Sequence, residues 1–167
     1  TISHIDKSFQ ALKLFVSMNA GSYSSNLNKV IREEHSFAYS IYAGLISKGK
    51  IIYVNAGLDA NNCDETIKLI EDELNKFKNG EIDINLLNLS KNEMISVLDA
   101  FNDNPGAILN LLIDVNLVYK GIKEFNSTEE YCEMIREYIK NATIEDVKEA
   151  ANTITLDTIY RLQRDNI

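Results

Sequence analysis

The chain has 167 residues, of which 45% are hydrophobic and 25% are charged, with seven glycines and one proline, values typical of one folded globular domain and not of a disordered chain. The net charge of −8 argues against nucleic acid as a partner, because binding to phosphates depends on clustered lysine and arginine. No apolar run approaches the roughly 20 residues of a membrane span, so no membrane contact is expected.

The first elements in chain order are two predicted helices. Asp6 is a suitable N-terminal cap for a helix that Ala20-Gly21 ends. A second, shorter helix is predicted from about Ser25, with apolar residues at helical spacing. It carries Arg32 near its C-terminal turn.

Two predicted strands follow. The aromatic and small residues of the runs Phe37 to Ile46 and Ile51 to Leu58 are typical of strands. Ser47-Lys48-Gly49-Lys50 between them is typical of an exposed hairpin turn. This hairpin is the clearest strand signal in the chain.

Helices are predicted for most of the remaining chain. Asn62 and Glu65 have the spacing of a capping box at the start of a helix that Gly80 ends. Residues 107–119 are apolar nearly all round, which predicts the central buried helix. The other predicted features are a helix from about Asp83 to Phe101, a helix start at Asn104-Pro105, capping boxes at Ser127/Glu130 and Thr143/Asp146, and a closing strand from Leu156 to Leu162.

Two strands, a series of long helices and a late strand do not fit alternating βαβ winding. They predict the α+β class, with an antiparallel sheet and helices packed on one face. The late strand is expected to pair with the hairpin or at an edge, because a stable sheet needs a third strand. The whole chain, residues 1–167, is expected to form a single domain.

The strongest indication of chemistry lies in the run from Ile31 to Ser40. Arg32 is placed at a helix end and Tyr39, seven positions later, on the strand that follows, so a guanidinium and a phenol can be aimed at a common point. Each residue also has a plainer interpretation. Arg32 suits a solvated helix end, and Tyr39 alternates with Phe37 and Ile41, which suits packing within the sheet.

The histidines and cysteines favour no metal site. His35 is more simply a helix-end histidine near the negative end of the helix dipole, and His4 has no partner in the sequence. The separation of Cys63 and Cys132 suits neither a metal motif nor a disulfide framework. Both are predicted to be buried free thiols in a reducing compartment.

The run containing Arg32 and Tyr39 resembles the C-terminal part of the insulinase-like zinc peptidases, the pitrilysin and mitochondrial processing peptidase family. Ile31-Arg32-Glu33 and Phe37-Ala38-Tyr39-Ser40 match the family's form, in which a helix ends in Arg-Glu and a small turn leads to an apolar residue and Ala-Tyr-Ser. The resemblance implies the fold of that family's metallohydrolase domains. It also assigns Arg32 and Tyr39 to binding and polarising the scissile peptide.

This family holds its zinc with an inverted His-x-x-Glu-His motif and a distant Glu. His4 and His35 are the only histidines of the chain and lie 31 positions apart, so they cannot form that motif. The resemblance therefore implies no cofactor in this chain, zinc in another domain or a partner subunit, and no peptide hydrolysis by the chain alone. The chain starts at Thr1 without an obvious first strand, and it is interpreted as the excised C-terminal domain of a longer chain.

Two functions stay open at this point. One is the substrate-binding domain of a zinc metalloendopeptidase, contributing Arg32 and Tyr39 and working on a peptide substrate with a zinc-bearing domain or subunit. The other is a non-catalytic structural or interaction subunit of the same family, which the missing zinc motif permits. The acidic composition and the lack of a visible anchor favour the cytoplasm in either case.

Overall fold

The structure is a computed structural model that describes residues 7–46, 51–117 and 127–162. Helices form most of the described chain, and one antiparallel pair of strands forms its sheet. The predicted α+β class is confirmed. In chain order the elements are α1 (Lys7–Ala20), a π-helix (Asn28–Glu34), β1 (Ala38–Ile46), β2 (Ile51–Leu58), α2 (Cys63–Asn79), α3 (Ile84–Asp99), α4 (Pro105–Leu117), α5 (Thr128–Asn141) and α6 (Ile144–Asn152), with short 3-10 turns at Ala60–Asn62 and Phe101–Asp103.

The hairpin of β1 and β2 is confirmed, with bounds that match the predicted strands to within a residue. Its register is regular from Ser40 onward, and Ile46 pairs with Ile51 at the turn end. Alternate side chains of β1 face the helices, where Ile41 is 5% exposed, and the others face outward, where Tyr42 is 48% exposed. The inner face packs against α1, the π-helix and α2.

Three groups of buried side chains hold the elements together. The largest joins α1, α2, α3 and α6 around the fully buried Phe77. A second joins α5 to α3 around Ile135, and a third packs the π-helix on the sheet and α2 around Ile31. Ala43 packs against the first and third groups and Met94 against the first and second, so the core is continuous.

Most helix ends follow the predicted local chemistry. Gly80 ends α2 at φ 82°, a left-handed conformation that suits glycine, and the Ser127 side chain accepts the Glu130 N–H at the start of α5. The predicted capping box at Asn62 is wrong. The 3-10 turn Ala60–Asn62 leads directly into α2, so Asn62 has helical φ and ψ of −96° and −3° and not the extended backbone that side-chain capping requires.

The prediction of a central buried helix at residues 107–119 is wrong for the described side chains. The helix α4 forms, but Leu109 is 58% exposed and Ile113 is 38% exposed. An apolar circumference leads to burial only where other elements surround the helix. In the described chain α4 packs mainly against the neighbouring turn Phe101–Asp103.

The predicted closing strand is also wrong. Residues 156–162 pair with no strand in the described part of the chain, and Leu156 and Leu162 are 60% and 86% exposed. The Lys78 ammonium donates to the carbonyl of Ile154, two residues before this segment, at 2.8 Å. The Arg161 guanidinium within the segment donates to the Asp64 carboxylate. Side-chain alternation alone does not supply the backbone partner that a strand needs.

Some sequence predictions fall outside the described residues. These are the Asp6 cap, His4, the turn at 47–50 and the last two positions of the helix predicted at 107–119. Of the helices that are described, none combines the length and the apolar character needed to cross a membrane.

Candidate functional site

Arg32 lies in the last turn of the π-helix Asn28–Glu34. The wide turn closes with a hydrogen bond from the His35 N–H to the carbonyl of Val30, five residues back, at 3.2 Å. Such turns are rare in proteins as a whole, and those that do occur are often found at functional sites. The Arg32 side chain is exposed, and its guanidinium carbon lies 5.3 Å from the centre of the Tyr23 ring, a cation–π contact.

The link from the π-helix to β1 contains a backbone conformation that side chains rarely adopt. Ser36 has φ 55°, in the left-handed region that favours glycine. The Phe37 N–H donates to the Ile31 carbonyl at 2.9 Å and closes the turn. Strain of this kind is concentrated at functional sites.

Tyr39 is the extra residue of a β-bulge at the start of β1. Ala38 pairs with Leu58 and Ser40 pairs with Gly57, so β1 has one more residue than β2 between these pairs. Side chains otherwise alternate along a strand, and the extra residue lets Ala38 and Ile41 both face the helices while Tyr39 and Ser40 both face outward. Ala38 is 7% exposed whereas Tyr39 is 73% exposed.

The Tyr39 hydroxyl donates to the carboxylate of Asp59 and lies 3.2 Å from each of its oxygens. The negative charge of Asp59, followed by this hydrogen bond, raises the pKa of Tyr39. The phenol therefore keeps its proton at neutral pH. A neutral phenol is a hydrogen-bond donor, which is the group that a peptide carbonyl oxygen requires.

Arg32 and Tyr39 lie on one short segment but do not contact each other. Among the described residues no hydrogen bond or ring contact joins them, since Arg32 meets Tyr23 and Tyr39 meets Asp59. The packing alternative for Tyr39 is wrong, because the bulge places it on the face opposite to Ile41. The solvated position predicted for Arg32 agrees with its exposure. A role in substrate binding stays a prediction for both residues.

A buried carboxylate on α2 fixes the segment that carries Arg32. Glu73 is 3% exposed and accepts hydrogen bonds from the Asn26 amide at 3.2 Å and the Lys76 ammonium at 2.6 Å. Just after Asn26, the Asn28 side chain donates to the Ser22 carbonyl at 2.9 Å. Paired polar groups in a low-dielectric setting favour one geometry, so the start of the π-helix is held against α2.

The donor groups of the described residues do not fit a zinc ion. In those ranges no three His, Cys, Asp or Glu side chains come together as metal ligands. His35 ends the π-helix as predicted, with ring Nδ1 2.8 Å from the Val30 carbonyl oxygen. Both cysteines are free. Cys132 is buried, which raises its pKa, whereas Cys63 is only half-buried, contrary to the prediction.

The sequence did not identify two contacts of this segment, Tyr23 and Asp59. A signal existed for Asp59, because the predicted strand bounds, extended by one residue, bring it opposite the start of β1. Tyr23 lies in the loop before the π-helix, where no periodic pattern relates it to Arg32.

Comparison with known proteins identifies relatives of this chain. The model of the family described as "Peptidase M16 inactive domain" matches residues 6–94. Among curated proteins, "Probable inactive metalloprotease YmfF" of Bacillus subtilis (strain 168) is 24% identical over 169 aligned positions, which cover 98% of this chain and 36% of the relative.

Solved structures show the same fold. A conserved protein from Enterococcus faecalis V583 superposes with a TM-score of 0.78 at 24% identity, over 90% of this chain and 34% of that one. A peptidase M16 inactive domain from Pseudomonas fluorescens gives 0.74 at 19% identity, over 93% and 36%. The chain thus spans about a third of the length of these relatives. Because the matched residues 6–94 are more than half of the 167 and include Arg32 and Tyr39, the chain belongs to the peptidase M16 inactive-domain family.

Proposed function

We propose that the chain is a substrate-binding domain of an M16-type zinc metalloendopeptidase. In this proposal Arg32 and Tyr39 contact the peptide, and a separate domain or partner subunit holds the zinc. Membership of the M16 inactive-domain family and a relative named as a probable inactive metalloprotease support a place in a peptidase-type assembly. The third of its relatives' length that the chain spans supports a role for residues 1–167 as one domain of a longer assembly.

The observation that carries the proposal is the exposure of Tyr39 at the bulge. A tyrosine that is 73% exposed gains little from burial, and the bulge that exposes it interrupts the pairing of the sheet. The left-handed Ser36 adds local strain three residues earlier. The burial of Ala38 and Ile41 does not require a phenol at position 39, whereas presentation to a ligand accounts for an exposed tyrosine there.

The chemistry of the two side chains suits a peptide. Attack on a peptide carbonyl produces a negatively charged oxygen, and fixed donors near that oxygen stabilise the transition state more than the ground state. Tyr39, kept neutral beside Asp59, is such a donor. Arg32 is always charged and carries forked donors, which suit a backbone carbonyl or a peptide carboxylate. We expect both to contact a peptide bound to this domain alone, and closure on the zinc-bearing part then brings their donors to the reacting carbonyl.

The second candidate is a non-catalytic structural or interaction subunit. The word "inactive" in the descriptions of both the family and the Bacillus subtilis relative favours it. In that case Arg32 and Tyr39 are surface residues without a substrate. For either function we propose the cytoplasm as the compartment, because the free state of Cys63 and Cys132 suits a reducing environment.

Peptide binding by the chain separates the two candidates. The probe is a fluorescein-labelled, unstructured 20-residue peptide of Gly, Ser, Leu and Lys, followed by fluorescence anisotropy. Tyr39→Phe removes one hydrogen bond and should weaken binding roughly 2- to 10-fold, and Arg32→Ala should weaken it at least as much. Lys29→Ala, an exposed cation on the same π-helix, and Tyr160→Phe, an equally exposed phenol, are matched controls that should bind as wild type.

Catalysis provides the second measurement. In an assembly that includes the zinc-bearing part, Tyr39→Phe should lower kcat roughly 100-fold, the low end for the loss of one oxyanion donor. Arg32→Ala should lower kcat/KM while the urea midpoint of the chain is unchanged. If both variants bind and cleave at wild-type levels while a zinc-ligand variant is dead, the pair is structural and the second candidate is correct.

A further inference from the structure

The Tyr39 hydroxyl, exposed as it is, already has a partner within the chain. It lies 3.2 Å from both oxygens of the Asp59 carboxylate. A phenol carries one proton, so it donates fully to one acceptor at a time. A peptide oxygen that uses this donor must therefore take it from Asp59.

The fold leaves the Asp59 carboxylate free for this contact. Asp59 directly follows β2 and precedes the 3-10 turn Ala60–Asn62, the position at which an aspartate ordinarily caps the next N–H groups. Its backbone is extended, with φ −70° and ψ 142°, yet its side chain makes no capping hydrogen bond. The carboxylate instead turns to Tyr39, which the bulge between Ala38 and Ser40 brings to the outer face of β1.

The contact is suited to being exchanged. The two distances of 3.2 Å are longer than the roughly 2.5–3.0 Å usual for O–H···O bonds, so the contact is a weak hydrogen bond. Tyr39 is 73% exposed, so water can replace either partner when the bond opens. The charge of Asp59 also opposes ionisation of the phenol, which preserves the proton for later donation.

We propose that Asp59 is the resting-state partner of Tyr39, an inhibitory contact within the chain that a peptide must displace to obtain the Tyr39 hydroxyl. Asp59 therefore acts only by competing for the Tyr39 hydroxyl and does not touch the reacting atoms. The inference rests on the proposed function for the role of Tyr39 toward peptide. The contact itself does not depend on that function and can be measured separately.

The first measurement is the ionisation of Tyr39 in the full chain. Tyrosines are labelled with 13C at Cζ, the Tyr39 resonance is assigned by its loss in Tyr39→Phe, and its shift is followed from pH 7 to 12. Asp59→Ala should lower the apparent pKa of Tyr39 relative to wild type. Asp157→Ala removes another exposed aspartate and should leave it unchanged. An unchanged Tyr39 titration in Asp59→Ala overturns the resting contact.

The second measurement is binding of the fluorescein-labelled Gly/Ser/Leu/Lys peptide. Loss of the competing acceptor should make Asp59→Ala bind about 2- to 10-fold more tightly than wild type. In the Tyr39→Phe background the same substitution should give no gain, because no hydroxyl remains to be released. The inhibitory role is overturned if Asp59→Ala binds the peptide more weakly than wild type. It is also overturned if Asp59→Ala strengthens binding equally in the Tyr39→Phe background. A wild-type chain that binds no peptide overturns the proposed function and the inhibitory role together, whatever the titration shows.

Discussion

Glu73 is a carboxylate that the fold buries to 3% exposure and then pairs on both oxygens. A buried charge is tolerated only when its hydrogen bonds are made. Lys76 supplies the charge partner from one helical turn away, and Asn26 supplies an amide from the segment that leads to Arg32. The residue thus serves the stability of α2 and the placement of the π-helix at once.

We expect Glu73→Gln to destabilise the chain by about 1–3 kcal/mol, because an amide turns a donor toward either Asn26 or Lys76 and leaves a buried group unsatisfied. Urea unfolding measures the loss. Glu71→Gln changes an exposed glutamate on the same helix and should stay within about 0.5 kcal/mol of wild type. Equal stability of the two variants would show that the Glu73 pairing contributes nothing.

The pH dependence of this pair has a definite sign. The hydrogen bond to Glu73 raises the pKa of Lys76, so the pair's contribution is fully present below the pKa of an unfolded lysine. It is lost as the pH rises through the raised pKa of the folded state. The difference in unfolding free energy between wild type and Glu73→Gln should therefore become smaller at alkaline pH. Because the Lys76 side chain is 51% exposed, solvent screening keeps the change small.

Sequence reasoning reached some of these residues and not others. Arg32 and Tyr39 were found from a local run, since a helix end and a strand start leave signatures within a few positions. The Asn26–Glu73 bond joins residues 47 positions apart, and no local pattern encodes such a contact. The outward direction of Tyr39 was also missed, because alternation assumes regular pairing and the bulge that breaks it depends on both strands.

At the scale of the element, α6 shows how much a local signal can establish. The Thr143 side chain accepts the Asp146 N–H at 3.2 Å, and the Thr143 N–H donates to the Asp146 carboxylate at 2.7 Å, the reciprocal box that the sequence predicted. The same carboxylate pairs with Lys7 of α1 at 2.7 Å. The box at Thr143 could be predicted because both partners lie within four residues, whereas the box predicted at Asn62 failed because the preceding 3-10 turn sets the backbone there. The Lys7 contact and the exposure of Leu109 and Ile113 on α4 depend on tertiary packing, so the local sequence did not predict them.

We expect Asp146→Asn to cost about 1 kcal/mol at pH 7, through a weaker cap and a lost ion pair. Burial raises the pKa of Asp146, but the hydrogen bonds from Lys7 and Thr143 outweigh it, so the pKa lies below its usual value. This stabilisation is present above the pKa of about 3.9 of an unfolded aspartate and is lost as the pH falls through the folded value.

Thermal unfolding followed by circular dichroism between pH 2 and 7 tests this expectation. The Tm difference between wild type and Asp146→Asn should be largest near neutrality and should shrink below about pH 4. Glu149→Gln, an exposed acid on the same helix, serves as the control and should follow wild type. A constant difference across the range would mean that the charge of Asp146 plays no part.

At the scale of the whole molecule, an aromatic pair lies where α1 meets α2. The rings of Phe15 and Phe77 are 5.1 Å apart and nearly perpendicular at 82°, and the side chains are 3% and 0% exposed. Edge-to-face contacts of this kind add to the gain from burial. Because the three buried groups share Ala43 and Met94, damage at this pair should spread to the other two.

We expect Phe77→Ala to cost about 3–5 kcal/mol, a large part of the roughly 5–15 kcal/mol that stabilises a typical domain. The urea midpoint should fall, and unfolding should remain a single transition in which the near- and far-ultraviolet circular dichroism curves coincide. Tyr160→Ala removes an aromatic ring that is 82% exposed and should change the midpoint little. Separate transitions for the two signals would mean that the core does not unfold as one unit.

The bulge at the start of β1 also bears on how this protein can evolve. It moves the packing constraint onto Ala38 and Ile41 and leaves position 39 almost free of it. A chain that had no use for a phenol there could drift to another polar residue without loss of fold. Conversely, new binding preferences can be gained at this position without the stability cost that accompanies most adaptive changes.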